Sequence, residues 1–201
     1  MSVGQSWARR VGAVGIVVVG AVVGLGAPGV AGAGDDLPAK GQVEVKSYPV
    51  DGSSSPKIVV RAVMELPPQK IWQIVSDCST YKDHLPRVAA SKLLSRDGNK
   101  FTCEVTIAMP FPLSNLTAVT EATHEESDKG MSRRWKLLRG DYKANTGSWE
   151  IKPLEGGKSS LVIYSVHAEP NTAVPDWIRE SAQKKALPEM IERVRSEAGK
   201  L

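Results

Sequence analysis

PNTAVPDWIRESAQKKALPEMIERV, residues Pro170–Val194, is the longest helical pattern beyond the N-terminal segment, and its reading decides the fold. Pro170 and Pro175 punctuate its start, and Asp176 stands where an N-cap or first-turn acid belongs. At roughly 100° per residue, Leu187, Met190, Ile191 and Val194 share one face, while Ile178, Ala182 and Ala186 point elsewhere. Pro188 falls between the two sets, where it removes a backbone donor and crowds the preceding turn. The pattern predicts a kinked helix. An apolar second half and a smaller-residue first half suit a lid, and an ordinary C-terminal helix packed on a sheet fits the same residues.

The segment that such a helix would pack against reads as strands. Gln42–Val50 and Lys57–Leu66 alternate on either side of the turn cluster Asp51-Gly52-Ser53-Ser54-Ser55-Pro56 and predict a hairpin. Pro67-Pro68 then open a short amphipathic helix over Gln69–Asp77, with a further helical turn over Ser79–Leu85. Strands return at Ala90–Arg96, Lys100–Met109, Leu113–Glu125, Gly130–Arg139, Gly147–Leu154 and Ser159–Ala168, separated by short turns. Short connections imply antiparallel pairing, and one long helix must cover the apolar face. The expected class is α+β, a curved antiparallel sheet around a C-terminal helix.

Residues 1–33 read as a signal peptide. Arg9-Arg10 precede an apolar run, Val11–Leu25, and Ala31-Gly32-Ala33 offers a small-residue cleavage site. Cleavage after Ala33 would leave a short linker over residues 34–41 and one domain over 42–200. An uncleaved anchor is the rival, because the apolar run approaches the length of a span. The expected location is periplasmic or secreted. Of the formal charge of +4, Arg9 and Arg10 account for half, and a remainder so small argues against nucleic acid. In an oxidising compartment Cys78 and Cys103 are free to pair, with two buried thiols as the alternative.

No chemistry announces itself. His84, His124 and His167 are scattered, without metal-ligand spacing, and there is no nucleophile elbow or phosphate-cradling glycine loop. Neither a cofactor nor a metal is called for. The apolar strand faces instead suggest a binder. Met64, Val105, Ile107, Met109 and Trp149 face inward by alternation, and methionines adapt to irregular apolar shapes. Arg133 and Arg139 share the facing of Trp135, so either would suit an anionic head group if it pointed inward, while strand twist and bulges favour the rim or solvent for both.

Three motifs carry a resemblance. Met109-Pro110-Phe111-Pro112-Leu113-Ser114-Asn115 resembles the Pro-aromatic-Pro-x-Ser-Asn segment of START domains, the lipid-transfer modules of the helix-grip superfamily. Gly147-Ser148-Trp149 with Lys152-Pro153-Leu154 is similar to a late strand of that family. His167-Ala168-Glu169-Pro170, Val174-Pro175-Asp176-Trp177 and Lys185-Ala186-Leu187-Pro188-Glu189-Met190 resemble its approach to the final helix. The chain departs from the family at Leu116-Thr117, where an Arg-Asp pair is usual. The resemblance implies a helix-grip fold with a tunnel for one lipid. Phe111 and Leu113 would be gate residues, Trp177 a lip residue, and Leu187, Met190, Ile191 and Val194 the gripped helix face. The expectation is an exported, non-enzymatic, monomeric carrier whose partners are a lipid and, transiently, a membrane surface. A cyclase-like or hydrolytic enzyme is the alternative, and it requires ionisable groups converging in the cavity, such as His84 or His167 with a carboxylate. A module that reports a bound lipid to a partner protein is a third reading.

Overall fold

Alternation along the strands builds the sheet, and the computed structural model describes it within residues 36–201. The signal peptide expected over residues 1–33 lies outside the described residues. β1 (Val43–Tyr48) and β2 (Lys57–Met64) form the first hairpin. α1 (Pro68–Ser76) follows, opened by Pro68, which needs no N–H in the first turn. A 3₁₀ turn over Cys78–Thr80 is capped by the Asp77 side chain, and α2 (Tyr81–His84) follows it.

Six more strands complete the sheet: β3 (Val88–Asp97), β4 (Lys100–Ile107), β5 (Leu116–Ser127), β6 (Gly130–Gly140), β7 (Tyr142–Leu154) and β8 (Ser159–Pro170). Neighbours run in the order β1-β2-β8-β7-β6-β5-β4-β3, every pair antiparallel. β8 thus returns to pair with β2, which leaves β1 and β3 as the edges. β5 begins at Leu116 rather than Leu113, because Pro110 and Pro112 cannot donate to a ladder. β7 begins at Tyr142, ahead of the expected Gly147, because its first residues pair along the extended end of β8.

The last helix is three segments. α3 (Asp176–Ser181) leads into a π-helical turn over Ala182–Ala186, and α4 (Leu187–Gly199) follows. The N–H of Leu187 reaches back five residues to the Ala182 carbonyl. Pro188, in the first turn of α4, has no N–H for the Lys184 carbonyl, and its ring would crowd that carbonyl in a regular helix. The wider turn removes the conflict.

The interior divides by depth. Near α1 it is packed solid: Ile71, Trp72, Ile74 and Val75 meet Val60, Ala62 and Met64 of β2, Ile151 of β7, Val162 of β8, and Ile191, Val194 and Ala198 of α4. Each large aliphatic side chain buried there stabilises the fold by about 1.5–3 kcal/mol. A smaller cluster joins Tyr81 to Cys78 and Cys103. Those two cysteines form a disulfide, tying the 3₁₀ turn to β4 across 25 residues of chain. Loop closure of that length stabilises by about 3.5 kcal/mol in the chain-entropy account.

Candidate functional site

Beyond the packed end the sheet and the final helix separate and enclose a cavity of about 410 Å³. Its walls come from the inner faces of β4 to β8, the β4–β5 loop, α2 and the run from α3 to the start of α4. Val105, Ile107, Met109, Trp135, Trp149, Leu187 and Met190 line it, with Trp177 at the mouth. Arg133 lines it as well.

Other expected site residues lie elsewhere. Met64, Ile191 and Val194 are completely buried in the packed end, because α1 fills the space they face. Phe111 is 94% exposed and Leu113 half-buried, and neither lines the cavity. The hydrogen bonds from Met109 N to Asn115 Oδ1 and from Leu113 N to the Pro110 carbonyl fold the loop so that Met109 and Pro110 face inward instead. Arg139 is exposed. A bulge beside Leu138 sets Leu137 opposite Thr120 and Arg139 opposite Val119, which moves Arg139 onto the other face of the sheet from Arg133.

Strand register explains how the inner wall is assembled. Val60, Tyr164, Trp149, Arg133 and His124 stand directly opposite one another across β2, β8, β7, β6 and β5, one row deep in the concavity. Gly147 sits in the next row opposite Trp135. A Cβ at Gly147 would collide with the Trp135 indole and the Ser165 carbonyl, so the missing side chain seats the ring. Trp135 Nε1 then donates to Asn145 Oδ1 at 3.0 Å.

Arg133 is 3% exposed. Its Nη1 donates to the Ser76 carbonyl at 3.2 Å and to His124 Nε2 at 2.6 Å, and Nη2 donates to Cys103 Sγ at 3.2 Å. Ser76 ends α1, so the cation meets the negative end of a helix dipole. An arginine only donates, so His124 Nε2 accepts and the imidazole is the neutral Nδ1–H tautomer. Burial first, then the guanidinium groups of Arg133 and Arg96, push the His124 pKa down to about 4. Phe101 stacks on that ring at 4.0 Å and Trp72 meets its edge at 5.0 Å. Burial likewise raises Tyr81 and Tyr164, and it pushes Tyr142 up to about 12, so these cavity phenols stay protonated.

The two histidines expected to serve an enzyme are not in the cavity. His84 Nδ1 lies 3.4 Å from Glu197 Oε2, between α2 and α4. His167 Nε2 meets Ser53 Oγ at 3.0 Å, and Ser53 also bonds to Glu169. This Ser-His-Glu group is a clamp rather than a nucleophile. With the Ser53 hydroxyl donating to the Glu169 carboxylate, His167 Nε2 is left as the donor to Ser53 Oγ. Arg179 of α3 extends the clamp by donating to the Ser54 and Val174 carbonyls. Among the described residues no cluster of His, Cys, Asp and Glu is placed to hold a metal ion. Tyr81, Tyr142, Tyr164, Asn145 and Thr120 also line the cavity, although the sequence did not single them out. Their inward facing follows from cross-strand register, which becomes readable once the pairing is known.

Comparison with known proteins gives the geometry a context. Residues 64–195 match the family model described as polyketide cyclase / dehydrase and lipid transport. No curated protein matches the sequence. Among solved structures, a STAR-related lipid transfer protein from Xanthomonas axonopodis is similar at TM-score 0.69 and 20% identity, over 81% of this chain and 96% of that one. Human StAR-related lipid transfer protein 5 matches at TM-score 0.70 and 10% identity, over 82% of this chain and 86% of that one. An aromatase/cyclase from a Streptomyces species matches at TM-score 0.59 and 12% identity, over 79% and 95% respectively. At such identities the likeness is one of fold, the α+β helix grip.

Proposed function

The chain belongs to the polyketide cyclase / dehydrase and lipid transport family, and from that premise we propose that it is an exported carrier which holds one lipid in its cavity and transfers it between membranes. The observation that carries this reading is the cavity itself. It measures about 410 Å³ and is walled mainly by aliphatic and aromatic side chains between the sheet and the final helix. That is the size and lining of a small-molecule site. Removal of ligand surface from water at about 25 cal/mol per Å² supplies enough affinity to hold a lipid without covalent chemistry.

The polar groups at the wall support carriage over turnover. Its ionisable side chains are Arg87, Arg133, Arg179 and three phenols, with neither histidine nor carboxylate to move a proton. The mouth supports membrane contact, since Phe111 and Trp177, 94% and 59% exposed, project beside the elements that frame it. Release then requires movement of α3 and the β4–β5 loop rather than a chemical step. Native mass spectrometry and organic extraction of the purified chain test the reading. A stoichiometric lipid is expected, together with transfer from donor to acceptor vesicles. An empty protein that also ignores vesicles would sink it.

A further inference from the structure

The floor of the cavity carries a positive charge that the protein does not balance. Arg133 has five N–H donors. Two of its Nη1 bonds and one Nη2 bond go to a backbone carbonyl, a neutral imidazole and a disulfide sulfur. None of those acceptors is anionic, and sulfur accepts only weakly. Among the described residues the hydrogen bonds of Arg133 run through Nη1 and Nη2 and none through Nε, and its one further neighbour of note is the neutral Tyr81 ring, 5.8 Å from Cζ. The end of α1 supplies about half a unit of negative charge, short of the full unit on the guanidinium. A buried, unpaired charge is costly, and buried charges are ordinarily paired. Arg87 and Arg179 are the other cations of the wall. Their charges are engaged at the rim, Arg87 by Glu189 at 3.6 Å and Arg179 by Asp176 at 3.6 Å. Arg133 is not.

We propose that the missing anion belongs to the ligand: the cavity takes a single-chain lipid anion, with a carboxylate or phosphate monoester head against Arg133 and the acyl chain toward the mouth. A guanidinium N–H edge is what such a head accepts. The wall above Arg133 is apolar, through Trp135, Val105, Ile107, Leu187 and Met190. Size points to one chain. At about 410 Å³ the cavity lies near the lower end of the small-molecule range, which suits one acyl chain better than two. This inference rests on the carrier reading and specifies its ligand.

The test titrates the delipidated full-length chain with dodecanoate, dodecyl phosphate, dodecanol and dodecylamine. One or both anions bind about ten- to a hundredfold tighter than dodecanol, the range of a hydrogen bond to a charged group, and dodecylamine binds weakest. Arg133→Gln removes the anions' advantage over the alcohol. Should that variant fail to fold, the head-group series on the unaltered chain decides alone. Equal affinity for dodecanol and both anions overturns the inference and leaves the carrier standing. Failure of all four probes overturns the inference, and failure together with an empty purified chain that ignores vesicles overturns the carrier reading too. Preference between the two anions separates a fatty-acid ligand from a lysophosphatidate-like one, and either preference supports an anionic head.

Discussion

Burial and the neighbouring Arg133 hold His124 neutral, with a pKa of about 4 against an ordinary 6.5. Its depression sets the sign of a pH effect. Below pH 6.5 the unfolded chain takes up a proton that the folded chain refuses, so this contribution to stability is complete above pH 6.5 and declines as the pH falls toward 4. At about 1.4 kcal/mol per unit, and allowing for relaxation, roughly 2 kcal/mol is at stake. His124→Gln keeps an acceptor for Arg133 Nη1 but cannot titrate. Urea unfolding at pH 7 and pH 4.5 should therefore show the unaltered chain losing about 2 kcal/mol more than the variant. Equal losses would mean that His124 is not desolvated as described. The same neighbourhood shows what a sequence reveals about single residues. Alternation along β6 puts Arg133 and Trp135 on one face, and both line the cavity. It puts Arg139 there too, but one extra residue at the bulge beside Leu138 reverses the facing beyond it. A bulge leaves no mark in the pattern of apolar residues, and so the facing of Arg139 stays open in the sequence.

At the scale of the element, the final helix shows how one proline shapes a site. Its split apolar faces and Pro188 are plain in the sequence, and they predict a kink. The observed solution is a π turn over Ala182–Ala186 that inserts one residue into the helical repeat. Turns of this kind recur at functional sites, and this one lies against the cavity through Ala182, Gln183 and Ala186. Its consequence is rotational. One residue turns a helix by about 100°, so the π turn sets where Trp177 and Ile178 point relative to Ile191 and Val194. Pro188→Ala restores an N–H for the Lys184 carbonyl and lets the π turn tighten into regular helix. α4 keeps its packing, while α3 rotates away from its seat over the mouth. Bound fatty acid should then dissociate several-fold faster in stopped-flow release, with a melting temperature near that of the unaltered chain. Should release be unchanged and melting alone shift, α3 is not a lid and Pro188 serves only the core.

For the whole molecule, the fold was legible and the division of its interior was not. Eight alternating segments with short turns and one terminal helix leave few arrangements other than a sheet curled around that helix. Which apolar residues pack and which enclose space depends on where α1 lies, a tertiary fact. Met64, Ile191 and Val194 look no different in sequence from Met109, Leu187 and Met190, yet α1 covers the first set and leaves the second facing the cavity. The outer surface carries a related lesson. The resemblance implies a gate at Phe111, but the ring does not line the cavity and is 94% exposed. Under the proposed carrier function, a ring so exposed beside the mouth is placed to meet a bilayer surface. Partial insertion of an aromatic side chain into a bilayer surface is worth roughly 2 kcal/mol at about 25 cal/mol per Å², and about 1.4 kcal/mol changes a rate or affinity tenfold. Phe111→Ser should accordingly slow lipid transfer between phosphatidylcholine vesicles by about tenfold. Affinity for dodecanoate in solution should hold, since Phe111 does not line the cavity. Phe111→Trp restores an interfacial aromatic and should restore the rate. Loss of solution affinity in Phe111→Ser would instead return the ring to the gate, and an unchanged transfer rate would place the membrane contact elsewhere on the surface.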